Sequence, residues 1–264
     1  CGVTTFLELE LQNCRKLGYS RGIITCPAQE CMMIKLNKTE FDHIEATRRK
    51  LVSFILPNVD FDGWSSGALN SAINDSGVDV GLAAQAAPRG AIDLAVAFHR
   101  QGDELMLITL EATDITNLRY SEKVAQMVRF RIEASKVHKE AVRRSITLFA
   151  LPSNFNEGGK LIWNTVDCIW DALQDTSTDA NWYTKRATLS AVYSSTILFW
   201  LGDESLGSKD TWDFLDRRIK NIMEFEKTKS KIKETLIGQS IFGVLKYLRK
   251  PSDDHKLGFP GYRG

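Results

Sequence analysis

The chain has 264 residues, of which 43% are hydrophobic and 25% are charged, so it can bury one large core or two smaller ones. Its formal net charge of +1 gives no reason, from overall charge, to expect binding to nucleic acid or to a membrane. No segment approaches the roughly 18 consecutive apolar residues of a transmembrane helix, and the first residues lack the pattern of a signal peptide. We therefore expect a chain that neither spans a membrane nor is exported.

The first part of the chain differs from the rest. Residues 1–31 hold four of the five cysteines and show no sustained apolar period of either 3.6 or 2 residues. Only Cys168 lies among the patterned segments, so we expect a reducing compartment and no disulfide framework. We predict that residues 1–38 are a leader or an extension outside the fold.

Apolar spacing predicts four helices in an N-terminal domain over residues 39–110. The first is expected to end at Pro57, because proline interrupts the hydrogen bonding of a helix interior. The next two are short, and the break at Gly77 between them is typical of a helix-turn-helix. Gly102 marks a candidate bend in the fourth helix. The predicted helices cover residues 39–56, 65–73, 80–87 and 91–110.

A second helical domain is predicted over residues 111–228. The stretch from Ile162 to Leu173 carries apolar side chains at helical spacing and forms a clear stripe. Residues 182–201 are apolar on most sides, which is expected of a helix buried in the middle of a bundle. No convincing strand alternation is present, so the predicted fold class is all-α. The predicted helices cover residues 121–150, 160–173, 182–201 and 209–226.

An amphipathic helix is predicted within residues 229–250, followed by a flexible tail over residues 251–264. Residues 216–250 contain ten lysines or arginines and four acidic residues, a net charge of +6 in an almost neutral chain. This combination favours attachment to an anionic membrane surface, although the same stripe could dock on the bundle or on a second subunit. The predicted membrane-binding residues are Ile237, Ile241, Phe242, Val244, Leu245, Lys246, Leu248 and Arg249.

A catalytic site needs a convergent set of acids, bases, nucleophiles or metal ligands, and the sequence offers no such set. There are four histidines and no His-x-x-x-His pair, and Glu40-x-x-His43 lacks the second copy that a di-iron carboxylate bundle requires. Residues 63–67 spell Gly-x-Ser-x-Gly, but no buried strand precedes them, so we interpret them as a helix-capping turn. We predict no catalytic residue, no metal and no cofactor.

The helix-turn-helix pattern raises the question of DNA binding. Residues 60–100 contain five aspartates and two arginines, a net charge of −3, whereas DNA affinity depends on neutralising phosphates. The expected recognition helix, residues 80–87, offers Gln85 as its single polar side chain. Nucleic acid is therefore not expected as a partner.

Several segments of the second domain resemble a known family. They are residues 175–193 and 210–219, with Leu151-Pro152 and Val166-Asp167-x-x-Trp170 upstream. These segments are similar to the ubiquinone biosynthesis accessory family, the ninth of the Coq series, most closely over about residues 148–226. The resemblance implies a TetR-like helical bundle with an N-terminal helix-turn-helix remnant and a C-terminal amphipathic helix.

The resemblance also implies a function. Members form homodimers, bind isoprenoid lipids or quinone intermediates in an apolar cavity, and present them to the di-iron demethoxyubiquinone hydroxylase without catalysis of their own. Their partner-binding patch corresponds to Asp179, Trp182, Tyr183 and Arg186, and Lys185 departs from the arginine of animal relatives. A TetR-type ligand-responsive transcriptional regulator is the alternative function, and a scaffold that binds no lipid is a third.

The lipid is expected between the two most apolar segments of the second domain, where aromatic residues could instead be core filler. No Arg-rich, acid-poor transit peptide is found, which favours a bacterial cytoplasm, with the protein peripheral on the inner membrane, and the resemblance suggests an alphaproteobacterial member. In a eukaryote the corresponding place is the matrix face. The predicted lipid-binding residues are Ile162, Val166, Ile169, Trp170, Leu189, Val192 and Tyr193.

Overall fold

The computed structural model describes the backbone of residues 28–177 and 180–233 and the side chains of residues 41–177 and 181–222. In this part of the chain every regular element is helical, which confirms the predicted all-α class.

The chain divides into two compact units, residues 1–43 and residues 44–264. The first helix, α1 (Ala28–Asp62), has residues in both units, and the other described helices lie in the second. The predicted leader covers residues 1–38. Residues 1–27 of it lie outside the described part of the chain, and residues 28–38 are helical.

Helix α1 continues through Pro57 to Asp62, so the predicted end at Pro57 is wrong. Proline removes one backbone hydrogen bond from a helix interior. Val59, beyond the proline, is completely buried, as are Leu51 and Ile55 before it. The apolar face continues across the proline, and its burial offsets the lost hydrogen bond.

The two predicted short helices are α2 (Ser66–Ser76) and α3 (Val80–Ala86). Ser65 accepts a backbone N–H of α2 at 3.2 Å, and Asp79 Oδ1 accepts two backbone N–H groups of α3 at 2.8 and 3.1 Å. Gly77 ends α2 at φ 64°, a left-handed conformation that favours glycine. These caps produce the tight turn of a helix-turn-helix.

The predicted helix over residues 121–150 is two helices, α5 (Tyr120–Glu133) and α6 (Lys139–Phe149), separated by a 3₁₀ turn at Lys136–His138. Val128 before the break packs in one apolar cluster and Ala141 after it packs in the other. The later described helices are α4 (Ala91–Glu111), α5 (Tyr120–Glu133), α6 (Lys139–Phe149), α7 (Phe155–Ala172), α8 (Ala180–Gly202) and α9 (Lys209–Lys233).

The described core consists of two apolar clusters. The N-terminal cluster joins side chains of α1 to α4 with Ala141 of α6. The larger cluster lies mainly between α5, α7, α8 and α9. Trp64 Nε1 donates a hydrogen bond to the carbonyl oxygen of Ala141 at 3.2 Å, which ties the helix-turn-helix to α6.

Helix α8 is less deeply buried at its end than its composition predicts. Leu198 is 59% exposed, and Phe199 is partly exposed and stacks on Phe214 of α9 with ring centroids 4.6 Å apart. The expectation that this segment is buried on most sides is therefore wrong for Leu198 and Phe199, whereas Trp200 and Leu201 at the same end are buried.

Across residues 28–177 and 180–233, no helix is long and apolar enough to cross a membrane. The predicted tail also falls outside the described residues, as do all the predicted membrane-binding residues: Ile237, Ile241, Phe242, Val244, Leu245, Lys246, Leu248 and Arg249.

Candidate functional site

A cavity of about 240 Å³ lies among helices α4 to α8. Its wall is mainly apolar, and the exposed lining residues Ala150 and Leu198 mark its mouth. Such a wall favours apolar contents over water, so the cavity suits the hydrocarbon part of a ligand. The apolar lining residues include Phe98, Ile132, Val142, Ile146, Phe149, Leu161, Ile162, Ile197 and Trp200.

A buried ion pair adjoins this apolar wall. The guanidinium of Arg131, 4% exposed, donates from Nε to Asp103 Oδ1 at 2.7 Å. It also donates to Ser135 Oγ at 3.0 Å and to the carbonyl oxygen of His99 at 2.9 Å. Burial alone would lower the pKa of Arg131, but Tyr193 and Asp103 raise it overall, so the guanidinium stays charged.

Thr165 of α7 connects this pair to the helix beside it. Its hydroxyl donates to Asp103 Oδ1 at 2.7 Å and lies 3.0 Å from Nε2 of His99. The network therefore joins α4, α5 and α7 next to the cavity. Because its members are hydrogen-bonded, it holds these helices in a defined arrangement without leaving the ion pair unbalanced.

Tyr193 of α8 is completely buried and lines the same cavity. Its hydroxyl lies near that of Thr165, which favours the ionised tyrosine and lowers its pKa, but no described residue is placed to make a well-formed hydrogen bond with it. Burial raises the pKa of Tyr193 to about 12, so the hydroxyl keeps its proton at neutral pH.

The seven predicted lipid-binding residues fall into two groups. Ile162 and Tyr193 line the cavity. The others do not line it, because the cavity lies toward the start of α7 and the end of α8, and they fill the larger cluster instead. Helical spacing identifies the buried face of a helix but not the level at which that face leaves a gap. The five core residues are Val166, Ile169, Trp170, Leu189 and Val192.

A second buried arginine, Arg186 of α8, is 1% exposed and is surrounded by three aspartates. Its Nε donates to Asp167 Oδ1 at 2.5 Å and its Nη2 to Asp171 Oδ1 at 3.4 Å, while Nη1 lies 3.6 Å from Asp175 Oδ2. The guanidinium also lies over Trp182, 4.0 Å from the ring centroid. We call these five residues the arginine cluster.

The predicted partner-binding residues differ in exposure. Trp182 and Arg186 are buried, whereas Tyr183 is partly exposed and packs edge-on against Trp182 with ring centroids 4.7 Å apart. Asp179 lies outside the described residues. Tyr183 is therefore the member of this set, within the described part, that has surface available to a partner.

Lys185 is part of the same region. Its Nζ donates to Asp175 Oδ1 and to Ser177 Oγ, both at 2.7 Å. Burial alone would raise the pKa of Asp175, but the hydrogen bonds from Lys185 and Ser177 and the charge of Arg186 lower it overall. The ionised Asp175 thus contributes stability at neutral pH that is lost as the pH falls through its folded pKa.

Sequence reasoning missed Asp103 and Arg131, because charged residues on amphipathic helices are ordinarily assigned to the solvent face. Gly102 was the one available signal. A methyl group built there would lie 2.5 Å from Nη1 of Arg131, and α4 continues through the position. The glycine makes room for the guanidinium of the neighbouring helix.

Comparison with known proteins gives three kinds of match. Residues 155–226 match the family model described as COQ9. The chain is 27% identical over 203 residues to the human protein named "Ubiquinone biosynthesis protein COQ9, mitochondrial", covering 74% of this chain and 64% of that protein. It is 32% identical over 191 residues to COQ9-A of Xenopus laevis, covering 69% of this chain and 60% of that protein.

The chain thus spans less than two thirds of the length of its human and Xenopus laevis relatives. Among solved structures, a TetR transcriptional regulator from Nitrosomonas europaea superposes with a TM-score of 0.56 at 21% identity. That match covers 66% of this chain and 97% of the regulator. The structural likeness confirms the predicted TetR-like fold.

Proposed function

We propose, from the match of residues 155–226 to the COQ9 family model, that the protein is a non-catalytic accessory protein of ubiquinone biosynthesis. In this proposal it binds an isoprenoid lipid or quinone intermediate and presents it to the demethoxyubiquinone hydroxylase. The names of its relatives support the pathway, since they are called mitochondrial ubiquinone biosynthesis proteins.

The observation that carries the lipid-binding proposal is the apolar cavity. At about 240 Å³ it is slightly smaller than the roughly 300 to 1,000 Å³ of ordinary ligand pockets. It therefore suits one end of a long lipid, with the rest of the tail passing out at Ala150 and Leu198. A membrane-bound lipid could enter in this way without leaving the bilayer completely.

Presentation to a partner also requires a surface that the partner can bind. In the proposal Tyr183 contributes to that surface, because aromatic side chains with a polar end are favoured contacts in interfaces. The buried Arg186 and Trp182 hold Tyr183 in position. A homodimer and a C-terminal helix on an anionic membrane are further parts of the proposal, and the latter places the protein on the inner membrane or its matrix face.

Filling the cavity tests the lipid-binding part. Ile197→Trp places a larger side chain in the cavity wall, and overpacking of the lipid-filled cavity costs about 1 to 3 kcal/mol, so lipid binding should weaken about fivefold or more. The measurement is mass spectrometry of the lipid that copurifies with the protein.

The matched control is Ala187→Trp, on the same helix at an exposed position that does not line the cavity. Both variants should give the helical circular dichroism of the unchanged protein, and only Ile197→Trp should lose lipid. The same lipid content in both variants would contradict a ligand at this site.

A further inference from the structure

We infer that the cavity recognises its apolar ligand through one neutral carbonyl oxygen, which accepts a hydrogen bond from the hydroxyl of Tyr193. This inference rests on the proposed lipid-binding function and adds the chemical group by which the ligand is selected.

The first observation is an incomplete hydrogen bond in a buried place. Six other residues in the described part of the chain have a buried side-chain polar atom without a hydrogen bond, and none of them lines this cavity. Tyr193 is completely buried and does line it. Because a buried hydroxyl without a partner is unfavourable, a ligand that supplies one binds with an advantage over a hydrocarbon of the same size.

The second observation is the kind of hydrogen bond that is offered. The pKa of Tyr193, raised by burial to about 12, keeps the hydroxyl protonated, so that it can donate. The adjacent Arg131 is a donor with no acceptor capacity. Its charge is already balanced by Asp103 at 2.7 Å. A ligand oxygen that accepts a hydrogen bond fits these groups, whereas an ammonium group does not.

The same charge balance selects a neutral oxygen over a carboxylate. Arg131 and Asp103 together carry no net charge, so a buried ligand carboxylate would bring an extra negative charge without a free counter-ion. A ketone or quinone carbonyl avoids this cost. Its apolar body would then occupy the wall formed by residues such as Phe98 and Ile146.

The experiment compares ligands that share one chain length and differ in the head group. Undecane, 2-undecanone and undecanoate would be titrated against the full chain, with a benzoquinone carrying one isoprenyl group as a fourth ligand. Displacement of a fluorescent lipid probe reports their affinities. The variants are Tyr193→Phe and, as the matched control, Tyr183→Phe, whose tyrosine is partly exposed on the same helix and does not line the cavity.

We expect the unchanged protein and Tyr183→Phe to bind the ketone about fivefold to tenfold more tightly than the alkane, as one hydrogen bond allows. Tyr193→Phe should bind the two equally. If Tyr193→Phe lowers the affinity for the quinone and leaves the affinity for the ketone unchanged, that result would also support the inference, with the ring carbonyl as the group recognised.

Equal affinities for ketone and alkane in the unchanged protein, together with no effect of Tyr193→Phe on quinone binding, would overturn the inference while leaving lipid binding in place. Tightest binding of undecanoate would overturn the choice of a neutral oxygen. Failure of every apolar ligand to bind would instead refute the proposed lipid-binding function.

Discussion

Replacing Arg131 by methionine should lower the free energy of unfolding by about 3 to 5 kcal/mol, the usual cost of removing one member of a buried ion pair. The variant leaves the carboxylate of Asp103 in a site where its side chain is 1% exposed. Thr165 continues to donate to that carboxylate, but one neutral hydrogen bond does not replace a cation. Urea denaturation followed by circular dichroism measures the loss.

The matched control for this prediction removes both charges. In the double variant Asp103→Leu with Arg131→Met, no uncompensated charge is left, so most of the lost stability should return. If Arg131→Met alone is as stable as the unchanged protein, the ion pair is not buried as described. A double variant less stable than Arg131→Met would show that the network contributes through its hydrogen bonds more than through charge balance.

Replacing Arg186 by methionine should lower the free energy of unfolding by about 3 kcal/mol, near the lower end of the same range. Asp175, with a side chain 3% exposed, would lose one of its two cationic neighbours. Asp171 is 68% exposed and can be hydrated, which limits the cost. The measurement is again urea denaturation, at neutral pH where the aspartates are ionised.

Because replacing Arg186 lowers stability, the predicted partner-binding patch has to be tested at another residue. Arg186→Ala would weaken binding of the hydroxylase by destabilising the fold, whether or not the arginine contacts the partner. Tyr183→Ala is the sharper variant, because Tyr183 is partly exposed and makes no ion pair. It should keep the unfolding midpoint near its original value and weaken hydroxylase binding at least about tenfold, as expected for an interface anchor.

Unchanged binding by Tyr183→Ala in a pull-down or titration with the hydroxylase would exclude this surface from the interface. Lys160→Ala on α7 is a suitable comparison, because Lys160 is exposed and lies outside the arginine cluster. Loss of binding in both variants would indicate a general effect on the protein.

The positions of most helices could be predicted from the sequence because each has a periodic apolar face and a recognisable boundary. The starts of α2 and α3 follow from Ser65 and Asp79, whose side chains cap them. The end of α1 could not be predicted in this way, because the burial of Val59 beyond Pro57 depends on contacts between distant parts of the chain.

The candidate site was harder to predict than the fold. The stripe beginning at Ile162 indicated the correct face of α7, but periodicity does not reveal where neighbouring helices diverge to leave a cavity. The apolar segment around Tyr193 predicts that this residue contacts lipid. That its hydroxyl has no hydrogen-bond partner depends on the neighbouring helices, so the sequence does not reveal it. Arg131 was absent from the prediction, since its burial depends on Asp103 of another helix.

Gly102 ties the buried ion pair to a third position, so substitutions at the three sites depend on one another. Any side chain at this position would meet the guanidinium of Arg131, with a methyl carbon 2.5 Å from Nη1. A side chain at residue 102 would therefore displace the guanidinium of Arg131 from its buried partners, and replacing either Arg131 or Asp103 alone would leave the other charge unbalanced. In an alignment of homologues the three positions should change together, and lineages that keep Arg131 and Asp103 should keep glycine at 102.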